Sequence, residues 1–238
     1  KEKTIKAKLK YRGNSYKSEL NLYGRWLDHM NTQKFSIQVK LKGKQTILGM
    51  RKFSLMHPKV RYGIHEWVAN KLLDYEGLIS LKLDFINVVI NGKNNGIYII
   101  EEGFDKQLIE RNQLKEGFIV KIEDGSENLK IYGESKALKD DQNKAKILYL
   151  KSLYRAYQLG NLPANKFFDF KKLATFRAIV DLIGGYHSLV PDNMRYYFNP
   201  ITSKIEPIGR EFESHPSAIS TKQWNPFQLA SFKDRNFS

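Results

Sequence analysis

The chain has 238 residues, of which 41% are hydrophobic and 13% aromatic, so it has the composition of one large or two small packed domains rather than of a disordered chain. It contains no cysteine, which excludes disulfides, thiolate zinc sites and cysteine nucleophiles within these residues. The formal net charge of +15 favours anionic partners such as nucleic acids, envelope polymers, acidic lipid head groups or phosphorylated substrates.

The first part of the sequence predicts mainly strands. Apolar and basic residues alternate over residues 3–11 and again over residues 34–42, which is typical of half-buried strands. Arg12-Gly13-Asn14-Ser15 predicts a turn after the first of these strands. Residues 52–56 predict a further strand, which ends at His57-Pro58.

A helix and a hairpin come next. Residues 62–76 carry apolar side chains at helical spacing, and Gly77 supplies a C-terminal stop. Residues 81–102 predict a β-hairpin, because two apolar runs flank the turn-forming segment of residues 91–96. The second strand of this hairpin ends in Glu101-Glu102.

The remaining elements are mostly helical. Residues 104–112 predict a short helix and residues 117–122 a strand. Residues 124–143 are charged and irregular, which indicates an insertion or a hinge. Longer helices are predicted over residues 143–159 and 169–183.

The order of these elements predicts an α+β fold with two lobes. Residues 1–123 would form a sheet-rich N-terminal lobe, mainly antiparallel with one helix against it. Residues 124–238 would form a helical C-terminal lobe, with a nucleotide-sized cleft expected between the two lobes. No apolar run approaches the roughly 20 residues that span a bilayer, so no transmembrane segment is predicted.

A polar hairpin after residue 191 carries the most informative chemistry. Asp192 and Asn193 precede an alternating aromatic strand, and Glu211 follows the strand predicted to pair with it. Oxygen atoms from one or two such side chains are the ligands that magnesium prefers when phosphate oxygens complete its shell. On this local pattern alone, an ordinary exposed hairpin with a polar loop is the alternative.

Basic and acidic residues on the predicted sheet suggest phosphoryl transfer, which needs positive charge on the phosphates and carboxylates for the metal and for the acceptor proton. Lys40 lies in an alternating strand, and only one of Glu101 and Glu102 can point inward at the end of another strand. Lys121 and Glu123 repeat this arrangement, and Lys121 is a second candidate for contacting the cofactor. Solvated surface is the alternative for each lysine taken alone.

Other chemistries find less support. The histidines show no paired metal-ligand spacing; they are His29, His57, His65, His187 and His215. The sequence has no GxSxG, Walker or GxGxxG motif and no recognisable nucleic-acid-reading motif. Arg12-Gly13-Asn14-Ser15 offers a single glycine, a weak signal for a phosphate-binding loop with Arg12 as the contact.

From about Lys8 to Glu211, the sequence resembles the CotH kinase family, the spore-coat protein H-like atypical kinases. The combination of motifs is more specific than any one of them. The motifs are Arg12-Gly13-Asn14-Ser15, residues 34–41, Gly49-Met50-Arg51-Lys52-Phe53-Ser54-Leu55, His57-Pro58, Glu66-Trp67, Val89-Ile90-Asn91-Gly92 with Gly96-Ile97-Tyr98 and Glu102, residues 193–197, and Glu206-Pro207-Ile208-Gly209.

The resemblance implies a bilobal, protein-kinase-like fold that binds ATP with magnesium or manganese and phosphorylates proteins. It implies that Lys40 contacts phosphate with Glu102 as its acidic partner, and that Asn193 and Glu211 ligate the metal. It also implies a secreted, spore-coat or cell-envelope location. The positive charge adds the expectation that the protein substrate or other partners are acidic. The sequence predicts no oligomeric state.

Two departures from the family pattern keep other functions open. Family members usually end the last motif with Asp, where this chain has Glu211, and the longer side chain changes the geometry of a metal ligand. The position about five residues before Asn193, where kinases place the catalytic base, holds Ser188. Asp192 is therefore the candidate base and His187 the reserve. An inactive nucleotide-binding pseudokinase and a basic polyanion-binding envelope module are the alternatives.

Overall fold

The computed structural model describes residues 4–24, 34–123 and 129–213. His29 and His215 lie outside these ranges. The chain divides into two compact units, the first formed by Lys1–Asn70 with Leu81–Gln113 and the second by Lys71–Ser80 with Leu114–Ser238. These units are defined by packing alone, so the predicted division into domains after residue 123 stays a prediction.

The first unit contains a six-stranded sheet in the order β1-β2-β3-β4-β6-β5, in which every neighbouring pair is antiparallel. This confirms the predicted antiparallel, sheet-rich N-terminal part. The strands are β1 (Ile5–Tyr11), β2 (Asn14–Leu22), β3 (Ile37–Leu41), β4 (Lys52–Met56), β5 (Leu83–Ile90) and β6 (Lys93–Glu102).

The six-stranded sheet curls around its main hydrophobic core. Leu9 of β1 and Ile90 of β5 pack against the same buried cluster although they belong to opposite edges of the sheet. Apolar side chains recur at alternate positions along the strands, with Ser18 of β2 as an exception, which directs them to this one face. The buried members are Tyr16, Ile37, Val39, Leu41, Ile47, Met50, Phe53, Leu55, Tyr98 and Ile100.

Helix α1 (Gly63–Tyr75) follows β4 after a 3-10 turn at Val60–Tyr62. Its Trp67 packs against a second apolar cluster that includes Met56 of β4 and Ile99 of β6. Gly63 stands where the chain passes close to this cluster, since a Cβ atom there would lie 2.5 Å from Ile99 Cδ1. This confirms the prediction that a helix packs against the N-terminal sheet.

Helix α2 (Lys106–Arg111) begins where Asp105 caps it. Asp105 Oδ1 accepts a hydrogen bond from the backbone N–H of Gln107 at 3.0 Å, which satisfies one of the free amides of the first turn. The predicted helix over residues 104–112 is confirmed with slightly narrower bounds.

The second unit combines a four-stranded antiparallel sheet with most of the helices. The sheet order is β10-β9-β7-β8. The elements are β7 (Phe118–Ile122), β8 (Leu129–Ile131), α3 (Glu134–Ala137), α4 (Asp141–Gln158), α5 (Ala164–Phe167), α6 (Phe170–Ile183), a 3-10 turn at Tyr186–Leu189, β9 (Arg195–Asn199) and β10 (Lys204–Ile208). None of the helices in the described part of the chain has the length and hydrophobicity that a membrane crossing requires.

Some elements differ from the sequence expectation. Strand β2 is not predicted by the sequence, because the inward position at its centre is Ser18, which breaks the apolar alternation although the residue is buried. The stretch predicted as irregular over residues 124–143 contains β8, α3 and the start of α4. Residues 124–128 of that stretch lie outside the described residues.

Candidate functional site

An ion pair between Lys121 and Asp192 lies at one end of the second sheet. Because β7 and β9 are antiparallel, with Val120 opposite Tyr196, the end of β7 lies beside the start of β9. Lys121 Nζ donates to Asp192 Oδ1 at 2.6 Å. The Lys121 side chain is only 7% exposed, whereas that of Asp192 is 60% exposed. A buried ammonium group thus holds a carboxylate that is open to solvent.

Gly117 explains how β7 comes so close to β9. A Cβ atom at this position would lie 2.3 Å from the carbonyl oxygen of Phe198 and 2.7 Å from Tyr197 Cε2. Any larger residue would push the two strands apart, because backbone cannot yield as a flexible side chain does. The close approach of the chain to β9 at the start of β7 therefore depends on this glycine.

Asn193 is fixed by the turn that precedes β9. Its backbone N–H donates to the Val190 carbonyl at 2.7 Å, and its side-chain Nδ2 donates to the His187 carbonyl at 3.0 Å. Since the amide nitrogen is used in this way, the carboxamide oxygen Oδ1 is the atom left to accept from a ligand or to bind a cation.

Glu211 follows β10 with a side chain that is 14% exposed and lies between Arg210 and His187. Its Oε2 lies 3.6 Å from His187 Nε2, and its Oε1 forms an ion pair with Arg210 Nη2. The backbone of Glu211 has φ +57°, a left-handed conformation that residues other than glycine rarely adopt. Such strain is commonly found where the side chain has a function.

Arg195 ties the turn to the rest of the sheet. Its Nη1 donates to the carbonyl oxygens of Asp192 at 2.7 Å and Met194 at 2.8 Å, and its Nε donates to Tyr132 Oη at 2.5 Å. Burial lowers the pKa of the Arg195 guanidinium, an effect that the neighbouring Tyr132 opposes. The group stays cationic because an arginine starts from so high a value. Sequence reasoning missed this residue, which stands at the start of a strand notable only for its aromatic residues.

The structure therefore brings five of the eight predicted site residues into one network of the second unit, which we call the β7–β9 network. Its members are Lys121, His187, Asp192, Asn193 and Glu211.

The other three predicted site residues, Lys40, Glu102 and Arg12, lie in the first unit. Glu102 is 2% exposed, and its Oε2 accepts hydrogen bonds from the backbone N–H of Lys82 and from Arg111 Nε, both at 2.9 Å. Its charged partner is thus Arg111, which the sequence did not indicate.

Lys40 and Arg12 are both exposed. Lys40 lies on β3, where its neighbours across the sheet are Glu19 and Lys52. No hydrogen bond or ion pair between described residues joins Lys40 to Glu102, so their pairing stays a prediction. Arg12 occupies the β1–β2 turn with φ +47°, its guanidinium 5.4 Å from the ring centroid of Tyr11.

Lys52 and Asp105 are half-buried residues of opposite charge that influence each other electrostatically, and sequence reasoning missed both. Burial lowers the pKa of Lys52, and the charge of Asp105 opposes this shift. Burial also raises the pKa of Asp105, while its hydrogen bond with Gln107 acts in the other direction. The available signal was a lysine directly before the apolar run of β4, a place where lysine is rarely buried without a reason.

The donor set limits the kind of metal site that the chain can form. Among the residues that the structure describes, no three His, Cys, Asp or Glu side chains are grouped so that they could hold a metal ion. The two predicted ligands, Asn193 and Glu211, nevertheless fit the usual magnesium mode, in which one or two side chains share the ion with substrate phosphates and water. They do not fit a site built from protein ligands alone.

An antiparallel α+β fold with lysine, carboxylate and carboxamide groups at the end of its second sheet is consistent with a kinase-like protein. The sequence model of the CotH kinase protein family matches residues 9–208, and the chain belongs to that family, whose members are atypical protein-kinase-like proteins. Glu211 lies just past the matched range. No curated protein matches the sequence closely enough to count as a relative.

Proposed function

We propose that the protein is a metal-dependent kinase that transfers the γ-phosphate of ATP to a hydroxyl group of a protein. Membership of the CotH kinase protein family supports this proposal. The observation that carries it is the solvent-exposed Asp192 carboxylate, held at 2.6 Å by the buried Lys121 next to the anchored Asn193.

In this proposal, Asp192 accepts the proton of the acceptor hydroxyl. The hydroxyl oxygen forms a bond to the γ-phosphorus while the bond between that phosphorus and the β,γ-bridging oxygen breaks, and ADP leaves with the electron pair. Lys121 keeps the carboxylate in place, so that little reorganisation is needed during the reaction. His187, which is 36% exposed, is the reserve base.

Asn193 Oδ1 and the Glu211 carboxylate would hold the magnesium or manganese ion, which when bound neutralises negative charge on the phosphates. Glu211 must then share its oxygens with the cation, because Oε1 forms an ion pair with Arg210 and Oε2 lies 3.6 Å from His187 Nε2. Lys40, Glu102 and Arg12 enter the proposal as nucleotide contacts carried over from the sequence motifs.

The first test is a thermal-shift experiment with ATP and magnesium or manganese, followed by an assay of phosphate transfer to a generic protein acceptor. A ligand at a hundred times its Kd stabilises the folded state by about 2.7 kcal/mol. We expect Asn193→Ala and Glu211→Ala to abolish the metal-dependent part of this shift and the transfer. The matched controls are Asn161→Ala and Glu76→Ala, at exposed positions. These variants should keep both the metal-dependent thermal shift and the phosphate transfer. If no nucleotide shifts the wild type, the proposal is wrong.

One observation favours a second candidate, a nucleotide-binding pseudokinase. The two carboxylates most needed for transfer already have cationic partners, Lys121 for Asp192 and Arg210 for Glu211. In a pseudokinase these pairs would persist with nucleotide bound. A nucleotide-dependent thermal shift without any phosphate transfer, unchanged by Asp192→Asn, would support this candidate over an active kinase.

A further inference from the structure

The outward face of the first three strands carries a regular array of lysines, which we call the lysine face. Along β1, exposed lysines alternate with more buried apolar residues, and β2 and β3 continue this alternation. All members are exposed: Lys6, Lys8, Lys10, Lys17, Lys40 and Lys42. The same side of β4 is covered by the cluster that contains Trp67 of α1, so the open part of this side is confined to β1–β3.

Within the part of the chain that the structure describes, the strands themselves do not neutralise the lysine face. Lys8 stands directly opposite Lys17 in the antiparallel pair, a placement of like charges that destabilises a sheet. Glu19 is the single acidic residue at the outward positions of β1–β3 among the residues that the structure describes. Its Oε1 lies 2.5 Å from Lys42 Nζ. One carboxylate cannot balance six ammonium groups, so packing gives no account of this array.

The chemistry of the lysine face argues against nucleic acids and membranes. Its outward positions on β1–β3 hold Lys, Glu, Ser, Asn and Gln, without an aromatic ring for base stacking or an arginine fork for bidentate phosphate binding. The sheet curls around the core on its other side, so the lysine face is convex. A flat bilayer would touch only part of a convex surface, whereas a linear chain can follow it.

The spacing of the lysines matches an extended polypeptide. Alternate residues of a strand lie roughly 6.8 Å apart on one face, and neighbouring strands roughly 4.8 Å apart. An extended segment with acidic residues at every second position has the same roughly 6.8 Å period. We propose that the lysine face docks an extended acidic segment of a partner protein along β1, with carboxylates above Lys6, Lys8 and Lys10 and with Lys17 beside them. The inference requires neither ATP nor a metal ion, and therefore does not depend on the proposed function.

The test measures binding of two labelled peptides to the full chain by fluorescence anisotropy at low salt. One peptide alternates Glu with Thr over twelve residues, and the other has the same composition with its glutamates in one block. The face variant is Lys8→Gln/Lys10→Gln/Lys17→Gln, which leaves Lys40 intact. The control variant, Lys139→Gln/Lys144→Gln/Lys146→Gln, removes the same charge from other exposed positions.

We expect the wild type to bind the alternating peptide more tightly than the block peptide. The face variant should lose about fivefold to tenfold in affinity, since exposed ion pairs contribute modestly and three are removed. The control variant should lose less than about twofold, because only general attraction is reduced. The face variant should be at least as thermally stable as the wild type, because it removes the opposed Lys8 and Lys17 charges.

Several outcomes would overturn the inference. Equal losses in the face and control variants would show that net charge alone attracts the peptide. Equal affinity for the alternating and block peptides would show that the spacing of the glutamates does not determine binding. No binding of either peptide would show that the lysine face does not dock an acidic segment. Tighter binding of inorganic polyphosphate or of phosphatidylserine vesicles, lost in the face variant, would assign the lysine face to phosphate polymers or to lipid instead.

Discussion

At the scale of single residues, Arg195 has a role that its position in a strand does not suggest. Its three hydrogen bonds fix the backbone on both sides of Asn193, through the carbonyls of Asp192 and Met194, and anchor the turn to Tyr132. Only a guanidinium can form this set, because it presents several donors in one rigid plane. Arg195 is therefore a positioning residue for Asp192 and Asn193.

The substitution Arg195→Lys tests this role. A lysine keeps the charge but cannot donate in three fixed directions, so the turn should lose its single conformation. If the proposed kinase activity is correct, we expect kcat for phosphate transfer to fall at least about tenfold, with a smaller change in the KM for ATP. Steady-state kinetics, corrected for the folded fraction, measure both. The exposed Arg155→Lys is the control; an unchanged kcat in Arg195→Lys would leave Arg195 with a purely structural role.

Lys52 and Asp105 are single residues whose pKa shifts affect the free energy of unfolding. Since burial lowers the pKa of Lys52, the folded state binds its proton less well than the unfolded state does. The pKa of Asp105 is raised by burial, so its charged form is also disfavoured on folding. At neutral pH, where both groups are charged in the unfolded chain, each shift lowers the free energy of unfolding.

We therefore expect Lys52→Met to raise the free energy of unfolding by about 1 kcal/mol, because burial disfavours the Lys52 charge by more than the attraction of Asp105 offsets. Urea denaturation at pH 7 measures the change. The stabilisation should shrink as the pH rises towards the ordinary pKa of lysine, because the wild type then no longer carries the cost of the charge. A clear loss of stability would instead show that Lys52 and Asp105 form a net stabilising pair.

At the scale of elements, local patterns predict strands and helices where the periodicity is long enough. The bounds of β4 follow from its sequence, and α4 and α6 begin and end within two residues of the predicted ranges. Strand β8 and helices α3 and α5 have only three or four residues, too few for a periodic signal.

Such local patterns do not predict which strands pair when the strands are distant in the sequence. The polar hairpin is predicted as a unit, because β9 and β10 are joined by a short turn. Its pairing with β7 is not, since nothing in either segment alone specifies a partner so far away in the sequence. For the same reason, the residue types of the β7–β9 network could be chosen from the sequence, but the contacts of Lys121 with Asp192 and of Arg195 with Tyr132 could not. The functional roles of these residues stay predictions.

At the scale of the whole molecule, stability should depend strongly on alkaline pH through the aromatic strand β9. Tyr197 is 1% exposed and donates to the Lys115 carbonyl at 2.6 Å. Burial, with a contribution from the charge of Glu206, raises the pKa of Tyr197 to about 12. Burial also raises the pKa of Tyr196 above its usual range.

A tyrosine whose pKa is raised on folding contributes stability that is complete below its unfolded value, near pH 10, and is lost as the pH rises to its folded value. Between about pH 10 and pH 12, we expect Tyr197 to lower the free energy of unfolding by about 1.4 kcal/mol per pH unit. Denaturation across this range measures the slope, and Tyr197→Phe should make it shallower. At pH 8 the variant should lose about 1 kcal/mol, because the Lys115 carbonyl loses its donor.

The pairing of β7 with β9 also determines when the candidate site can form. Lys121 and Asp192 are separated by 71 positions, and the helices α3 to α6 lie in the loop that their contact closes. Closing a loop of that length costs roughly 4 kcal/mol in chain entropy before any contact is gained. During synthesis, all four helices leave the ribosome before β9 can reach β7. All four helices are therefore available before the candidate site can form, and long-range contacts such as that of Lys121 with Asp192 belong to the slow part of folding.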